Sequence, residues 1–241
     1  MTFNAWLRFD GIRRALRGLP RDADVLEIGP GQGAMSVRIA ERVRYDGVEA
    51  DAVAASVARP RVEARGGRLR VGSVDALVGE RIYDAVCAFE VLEHLEDDVA
   101  ALVRWYRWLR PGGRLVLSVP SQPHRFGPWD VAVGHYRRYD RDELGAKLAE
   151  AGFERIELRS HGWPLGYALE AVRDRLAARG SSDEGSMEER TAGSGRVLQP
   201  RDRFGAVTWF LTLPFRLVQL PLRGTRLGTG LTVIAFRPHR R

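Results

Sequence analysis

Val25-Leu26-Glu27-Ile28-Gly29-Pro30-Gly31-Gln32-Gly33 reads as a short apolar strand entering a turn with glycine at every second position. Residues 34–43 then carry Met35, Val37, Ile39, Ala40 and Val43 at helical spacing. A strand, a glycine turn and a helix start bring backbone N–H groups up to a ligand, because glycine accepts the required dihedrals and has no Cβ in the way. Outward from this unit the pattern repeats. Apolar runs at 45–49, 68–71, 82–89, 114–119, 153–158 and 229–236 predict strands. Helices are predicted around them: an amphipathic one carrying Trp6, Phe9, Ile12, Leu16 and Leu19, one after the cap Asp51, and others over 97–109, 140–151 and 162–179. Pro111-Gly112-Gly113 reads as a helix stop, and the proline-rich stretch containing Pro120, Pro123, Pro128 and Trp129 as an irregular loop. Such alternation gives an α/β fold, a doubly wound, mostly parallel sheet whose ligands sit beyond the carboxyl ends of its strands.

The chain of 241 residues suits one large domain, with a core over 20–160 and an insertion or lid over 161–228. Charged residues make up 29% and hydrophobic ones 44%, which excludes a disordered or collagen-like chain. One cysteine, Cys87, sits in the apolar run Ala85-Val86-Cys87-Ala88-Phe89; this excludes a disulfide framework and reads as a buried thiol. The net charge is +7, yet 37 of the 38 basic residues are arginine and they are scattered, so nucleic acid is not the expected partner. Residues 1–10 lack a basic segment followed by an apolar one, so a cytoplasmic location is expected.

Glu49 closes the second strand, sixteen residues after Gly33, where a carboxylate can accept both hydroxyls of an adenosine ribose. Asp75 follows the third strand, near where an adenine edge would lie, and Glu27 stands at the turn itself. Hydride chemistry of the short-chain dehydrogenase kind is excluded, because the single lysine, Lys147, follows Glu143 at the spacing where a tyrosine is needed. A phosphate loop ending in Gly-Lys-Ser/Thr fails for want of a second lysine. The glycine turn, Glu49, Phe89-Glu90-Val91-Leu92-Glu93-His94-Leu95 and Leu109-Arg110-Pro111-Gly112-Gly113-Arg114-Leu115 together resemble class I S-adenosylmethionine-dependent methyltransferases, over roughly residues 20–160. That resemblance implies a seven-stranded, Rossmann-like sheet with an antiparallel last strand. It implies S-adenosylmethionine as cofactor, with Gly29, Gly31 and Gly33 at its methionine part, Glu49 at its ribose, and Ser73, Val74 and Asp75 in the adenine region. The chain departs from the family at Ser73, where an aspartate is common. Glu27 and Glu90 complete the expected cofactor-binding set.

The acceptor-side groups should follow the fourth and fifth strands. One cluster is Glu90, Glu93 and His94; the other is Gly134-His135-Tyr136-Arg137-Arg138-Tyr139. His135 is expected as the base and Tyr139 as the group that orients it. Glu90-x-x-Glu93-His94 with a later histidine is also similar to the metal set of small-RNA 2′-O-methyltransferases and ubiquinone-pathway O-methyltransferases, so a divalent metal is left open without being assigned. His124, His161 and His239 show no partner pattern and read as surface or loop residues.

Residues 180–202 are polar and rich in glycine, serine and acids, and read as a mobile loop or lid. Residues 204–222 are apolar but hold Pro214, Arg216 and Pro221, which argues against a membrane span. The main reading is a helix packed on the sheet; the other is an interfacial helix making peripheral membrane contact. The sequence thus predicts methyl transfer to oxygen or nitrogen of a small molecule. The rivals are an RNA 2′-O-methyltransferase, a lipid- or glycan-acting methyltransferase, and a non-catalytic cofactor-binding scaffold. The oligomeric state is not assigned.

Overall fold

The computed structural model describes residues 1–79, 81–179 and 205–239. Seven strands form one sheet: β1 (Asp24–Ile28), β2 (Arg44–Glu49), β3 (Arg68–Val71), β4 (Tyr83–Phe89), β5 (Leu109–Pro120), β6 (Glu154–His161) and β7 (Gly230–Phe236). Their order is β3-β2-β1-β4-β5-β7-β6. The first five run parallel, and β7 lies antiparallel between β5 and β6. β1, β4 and the second half of β5 are buried on both faces, as a sheet covered on two sides requires.

Helices cover both faces. On one, α1 (Phe3–Leu16), α2 (Ser36–Ala40) and α3 (Ala52–Glu63) bring Trp6, Ile12, Ile39 and Ala58 onto Val25, Ala85, Cys87 and Val116. On the other, α5 (Asp98–Arg107) and α7 (Arg141–Glu150) bring Leu102, Trp105, Leu144 and Leu148 onto Leu26, Val86, Leu115 and Leu117. Asp51 and Asp97 cap α3 and α5 by accepting the amides of Val53 and Ala100. A short α4 (Val74–Val78) follows β3. Cys87 is fully buried, and burial pushes its thiol well above the ordinary range.

Two local expectations are corrected. Pro111-Gly112-Gly113 does not stop a helix before a strand; it lies inside β5, where a register shift between Tyr83 and Ala85 absorbs the irregular residues. The presumed loop after β5 contains α6 (Pro128–Ala132), opened by Pro128 at its first position and by the Gly127 amide donating to Asp130 Oδ2 at 2.9 Å. Between β6 and β7 lie α8 (Leu165–Arg179) and α9 (Gly205–Val218). The stretch expected as a lid, 180–202, falls outside the described residues.

The strand order reverses between β1 and β4. The turn after β1, the ends of β2 and β3, and the ends of β4 and β5 therefore share one edge of the sheet, with a crevice at the switch point.

Candidate active site

Gly29, Gly31 and Gly33 all have positive φ, at 64°, 56° and 76°. A Cβ at Gly29 would stand 2.8 Å from Val91 Cγ2, and one at Gly33 2.9 Å from Ala58 Cβ, so these two glycines allow the segment after β4 and α3 to close on the turn. A Cβ at Gly31 would meet nothing within 4 Å, so its outer side is the open one. The Gly31 amide donates to Glu49 Oε2 at 2.7 Å, and the Asp51 amide to Oε1 at 2.9 Å. Burial raises the Glu49 pKa, and these two amides oppose it. One bond to each oxygen leaves lone pairs free, which is the acceptor pattern a vicinal diol needs.

Glu27 behaves differently from its neighbours on this edge. It is buried, accepts the Tyr45 hydroxyl at 2.7 Å, and is raised to about 7 by burial, which the Tyr45 bond only partly offsets. The unfolded carboxyl titrates near 4.5. Folding therefore keeps a proton that the unfolded chain gives up between pH 4.5 and about 7, and stability falls as pH rises through that window. Glu27→Gln, which stays neutral, is expected to remove a loss of about 3 kcal/mol. Urea melts of both proteins from pH 4.5 to 7.5 check it: their stability difference should widen with pH, and a constant difference contradicts it.

Val74 packs against the core beside the end of β3, while Asp75 is half exposed and pairs with Arg104 of α5 at 3.4 Å. Ser73 caps α4 without a side-chain bond.

The second group gathers at the ends of β4 and β5. Glu90 has φ 57°, a left-handed conformation that side chains rarely take. Its carboxylate accepts the Ser118 hydroxyl at 2.8 Å and meets Arg8 of α1 at 3.2 Å. Burial alone would raise its pKa, but Arg8, His161 and Ser118 outweigh it and hold the group low. Three residues on, Glu93 is fully buried with no hydrogen bond to either carboxylate oxygen, and burial and Glu90 push its pKa well up. His94 faces the Gly134 carbonyl through Nδ1 at 3.2 Å and is lowered to about 4, first by burial and then by His135. The two imidazoles stand edge to face, 4.6 Å apart.

His135 Nδ1 lies 2.7 Å from Asp130 Oδ1. Asp130 is wholly buried, and Arg138 grips both its oxygens, with Nε at 3.0 and 2.9 Å. Burial would raise the Asp130 pKa; His135 and Arg138 overcome that and take it to about 2. An ionised Asp130 can only accept, so His135 donates through Nδ1–H and keeps the Nε2 lone pair. Nε2 is 3.9 Å from Glu93 Oε1.

Tyr139 does not orient His135. Its fully buried hydroxyl donates to Asp98 at 2.9 Å, with the Leu92 carbonyl at 3.3 Å, and burial and Asp98 drive its pKa far up. The orienting residue is Asp130, which sequence reasoning missed; the signal was an acid five residues before a histidine, in a stretch read as loop. His161 is likewise no surface residue. It lines a cavity with Asn4, Arg8, Glu90, His135 and Arg173, and burial lowers it to about 4. The cavity is closed by α1, α6 and α8, so the segment between β6 and β7 contributes directly to it.

One atom each of Glu93, His94 and His135 lies within 4.8 Å of the others, an arrangement that could hold a divalent ion. The buried, hydrogen-bond-free Glu93 carboxylate fits that use.

A family model described as a methyltransferase domain matches residues 4–158. A probable S-adenosylmethionine-dependent methyltransferase of Mycolicibacterium smegmatis is 34% identical over 141 residues, covering 54% of this chain and 52% of the relative. A ubiquinone biosynthesis O-methyltransferase of Xanthomonas axonopodis pv. citri is 31% identical, covering 63% and 76%. The chain spans about half the length of the mycobacterial relatives it matches. Among solved structures, phosphoethanolamine N-methyltransferase 2 of Haemonchus contortus, bound to S-adenosyl-L-methionine, shares the fold at TM-score 0.61 and 16% identity, over 98% of this chain and 56% of that one. With the glycine turn, the strand order and the family match in agreement, the chain belongs to the class I S-adenosylmethionine-dependent methyltransferases.

Proposed function

We propose that this chain moves the methyl group of S-adenosylmethionine to an oxygen or nitrogen of a small-molecule acceptor presented to His135. The observation that carries it is the Asp130–His135 pair opening on the cavity, on the sheet edge that also holds the glycine turn. Bound S-adenosylmethionine would supply an electrophilic methyl on a sulfonium that can leave as a neutral thioether. The chain's own part is positioning and proton removal. Gly31 faces the methionine part and Glu49 the ribose, the Gly31 amide holding the Glu49 carboxylate in place. His135 Nε2 takes the proton from the acceptor's O–H or N–H, and Asp130 stabilises the resulting imidazolium. The Xanthomonas relative is named for O-methylation, which favours oxygen here.

Titration calorimetry with S-adenosylhomocysteine tests the cofactor assignment. Glu49→Ala is expected to weaken binding roughly 10- to 100-fold, the worth of hydrogen bonds to a charged group. Wild-type protein that fails to bind at sub-millimolar concentration overturns the reading. Transfer of labelled methyl to a panel of phenols, catechols and amines then identifies the acceptor class.

A second reading rests on Glu93. A carboxylate buried without hydrogen bonds beside two imidazoles is what a divalent cation would satisfy, and such an ion would anchor an acceptor's oxygens instead of leaving His135 free as base.

A further inference from the structure

Helix α9 is built inside out. Thr208, Thr212 and Arg216, spaced four apart, are its buried positions among residues 207–218, and Gln219 just beyond its end continues the buried side. Val207, Phe210, Leu211, Leu217 and Val218 face outward, Phe210 with 68% and Leu217 with 58% of its surface exposed. The 3₁₀ turn at Leu220–Leu222 extends that outer face through the exposed Leu220. An ordinary surface helix shows the opposite arrangement.

Specific bonds lock the orientation. Trp6 donates through Nε1 to Thr208 at 3.2 Å, and Arg216 makes two bonds to Asp10, at 2.9 and 2.6 Å. Gln219 donates to the Leu7 carbonyl at 2.8 Å and accepts the Gly162 amide at 2.9 Å. Turning the apolar side inward would strand all of these groups. The exposed apolar face is therefore a fixed feature, and its size and continuity mark an interaction surface.

Charge identifies the occupant. Arg14, Arg159 and Arg216 lie around Arg223, which together with Arg216 reaches Asp10 of α1, and Arg13 and Arg14 are exposed. The chain's own segment 180–202 is polar and acidic and offers no apolar counterface. Among the described residues no helix is long and apolar enough to cross a membrane. An apolar stripe with aromatic residues and an arginine border is the pattern of a helix lying in a bilayer interface.

We propose that the outer face of α9, with the arginines at its end, docks the protein onto anionic phospholipid membranes. The consequence reaches the cavity, because α1, which α9 clamps, supplies Asn4 and Arg8 to its lining. The acceptor would then be met at the membrane surface.

Flotation of the full chain with phosphatidylcholine vesicles containing phosphatidylglycerol tests this. Binding is expected at low salt, with roughly tenfold less on pure phosphatidylcholine or at high salt. Phe210→Glu/Leu217→Glu is expected to abolish it. Both side chains lie outside the core, so circular dichroism and S-adenosylhomocysteine binding should match the wild type. Arg13→Glu/Arg14→Glu, which leaves the apolar face intact, should weaken it. No flotation at low salt, or flotation that the double glutamate variant retains, overturns the proposal. So does a dimer in sedimentation velocity that Phe210→Glu/Leu217→Glu dissociates while vesicles stay unbound, since that would assign the face to a second copy. The outcome is independent of methyl transfer, because vesicle binding is read without turnover.

Discussion

His135→Ala is expected to lower kcat about 10²- to 10⁴-fold, the usual contribution of a positioned base, with S-adenosylhomocysteine affinity unchanged. The reasoning starts from Asp130. Its carboxylate is held ionised by Arg138 and by the imidazole itself, so His135 carries its proton on Nδ1 and offers Nε2 to the acceptor. Asp130→Asn should follow His135→Ala in direction, because an amide can turn its NH₂ toward Nδ1 and reverse the tautomer. The same variants separate the two readings of the site. If His135 acts as base, a chelator leaves wild-type turnover intact. If Glu93, His94 and His135 hold an ion, the chelator silences the wild type, added Mn²⁺ or Zn²⁺ restores it, and Glu93→Ala matches His135→Ala. A His135→Ala protein with wild-type kcat on an acceptor the wild type methylates removes this histidine from both mechanisms.

What could be read from residues alone was whatever depends on near neighbours in the chain. The strands of the parallel half declared themselves because both their faces are buried, so Ala85 to Phe89 is apolar without alternation. The glycine turn did so because three positive φ angles demand three glycines. Gly112 and Gly113 carry the same signal but a different meaning. They sit in a bulged strand, and only the pairing of Tyr83 with Leu109 reveals it. The active-site contacts were harder, since their partners are distant. Tyr139 finds Asp98 41 residues back, and Arg138 reaches Glu170 32 residues on. His161 reaches the cavity because β6 lies beyond β7 in the sheet, an order that periodicity cannot supply. The apolar stretch around α9 was visible, but which side faces inward depends on Asp10 and Trp6, some 200 residues earlier.

Removing the guanidinium of Arg138 should do more to the fold than any other single surface-distant change at this site. Arg138 is buried and joins two carboxylates: Asp130 through Nε, and Nη2 at 2.7 Å, and Glu170 through Nη1 at 2.8 Å. Asp130 lies on α6 and Glu170 on α8, so this one side chain ties the segment between β6 and β7 to the helix that aims His135. Arg138→Met leaves two buried carboxylates with less compensation. Asp130 keeps His135 and the Gly127 amide, and Glu170 keeps Arg125 at 3.0 Å. Breaking a buried pair from one side costs about 3–5 kcal/mol, because the stranded charge, not the lost attraction, dominates. For a chain of this size that lowers Tm by roughly 6–20 °C. Arg138→Lys keeps the charge but not the planar fork, and should fall between the two. If stranded charge is the cause, Glu170→Gln placed on the Arg138→Met background recovers part of the loss, whereas the same change in the wild type is destabilising. Denaturant melts of the four proteins decide it. A cost below about 1 kcal/mol for Arg138→Met, or two effects that simply add, would mean that α6 and α8 are held by packing and that the ionic chain is incidental to aiming the base.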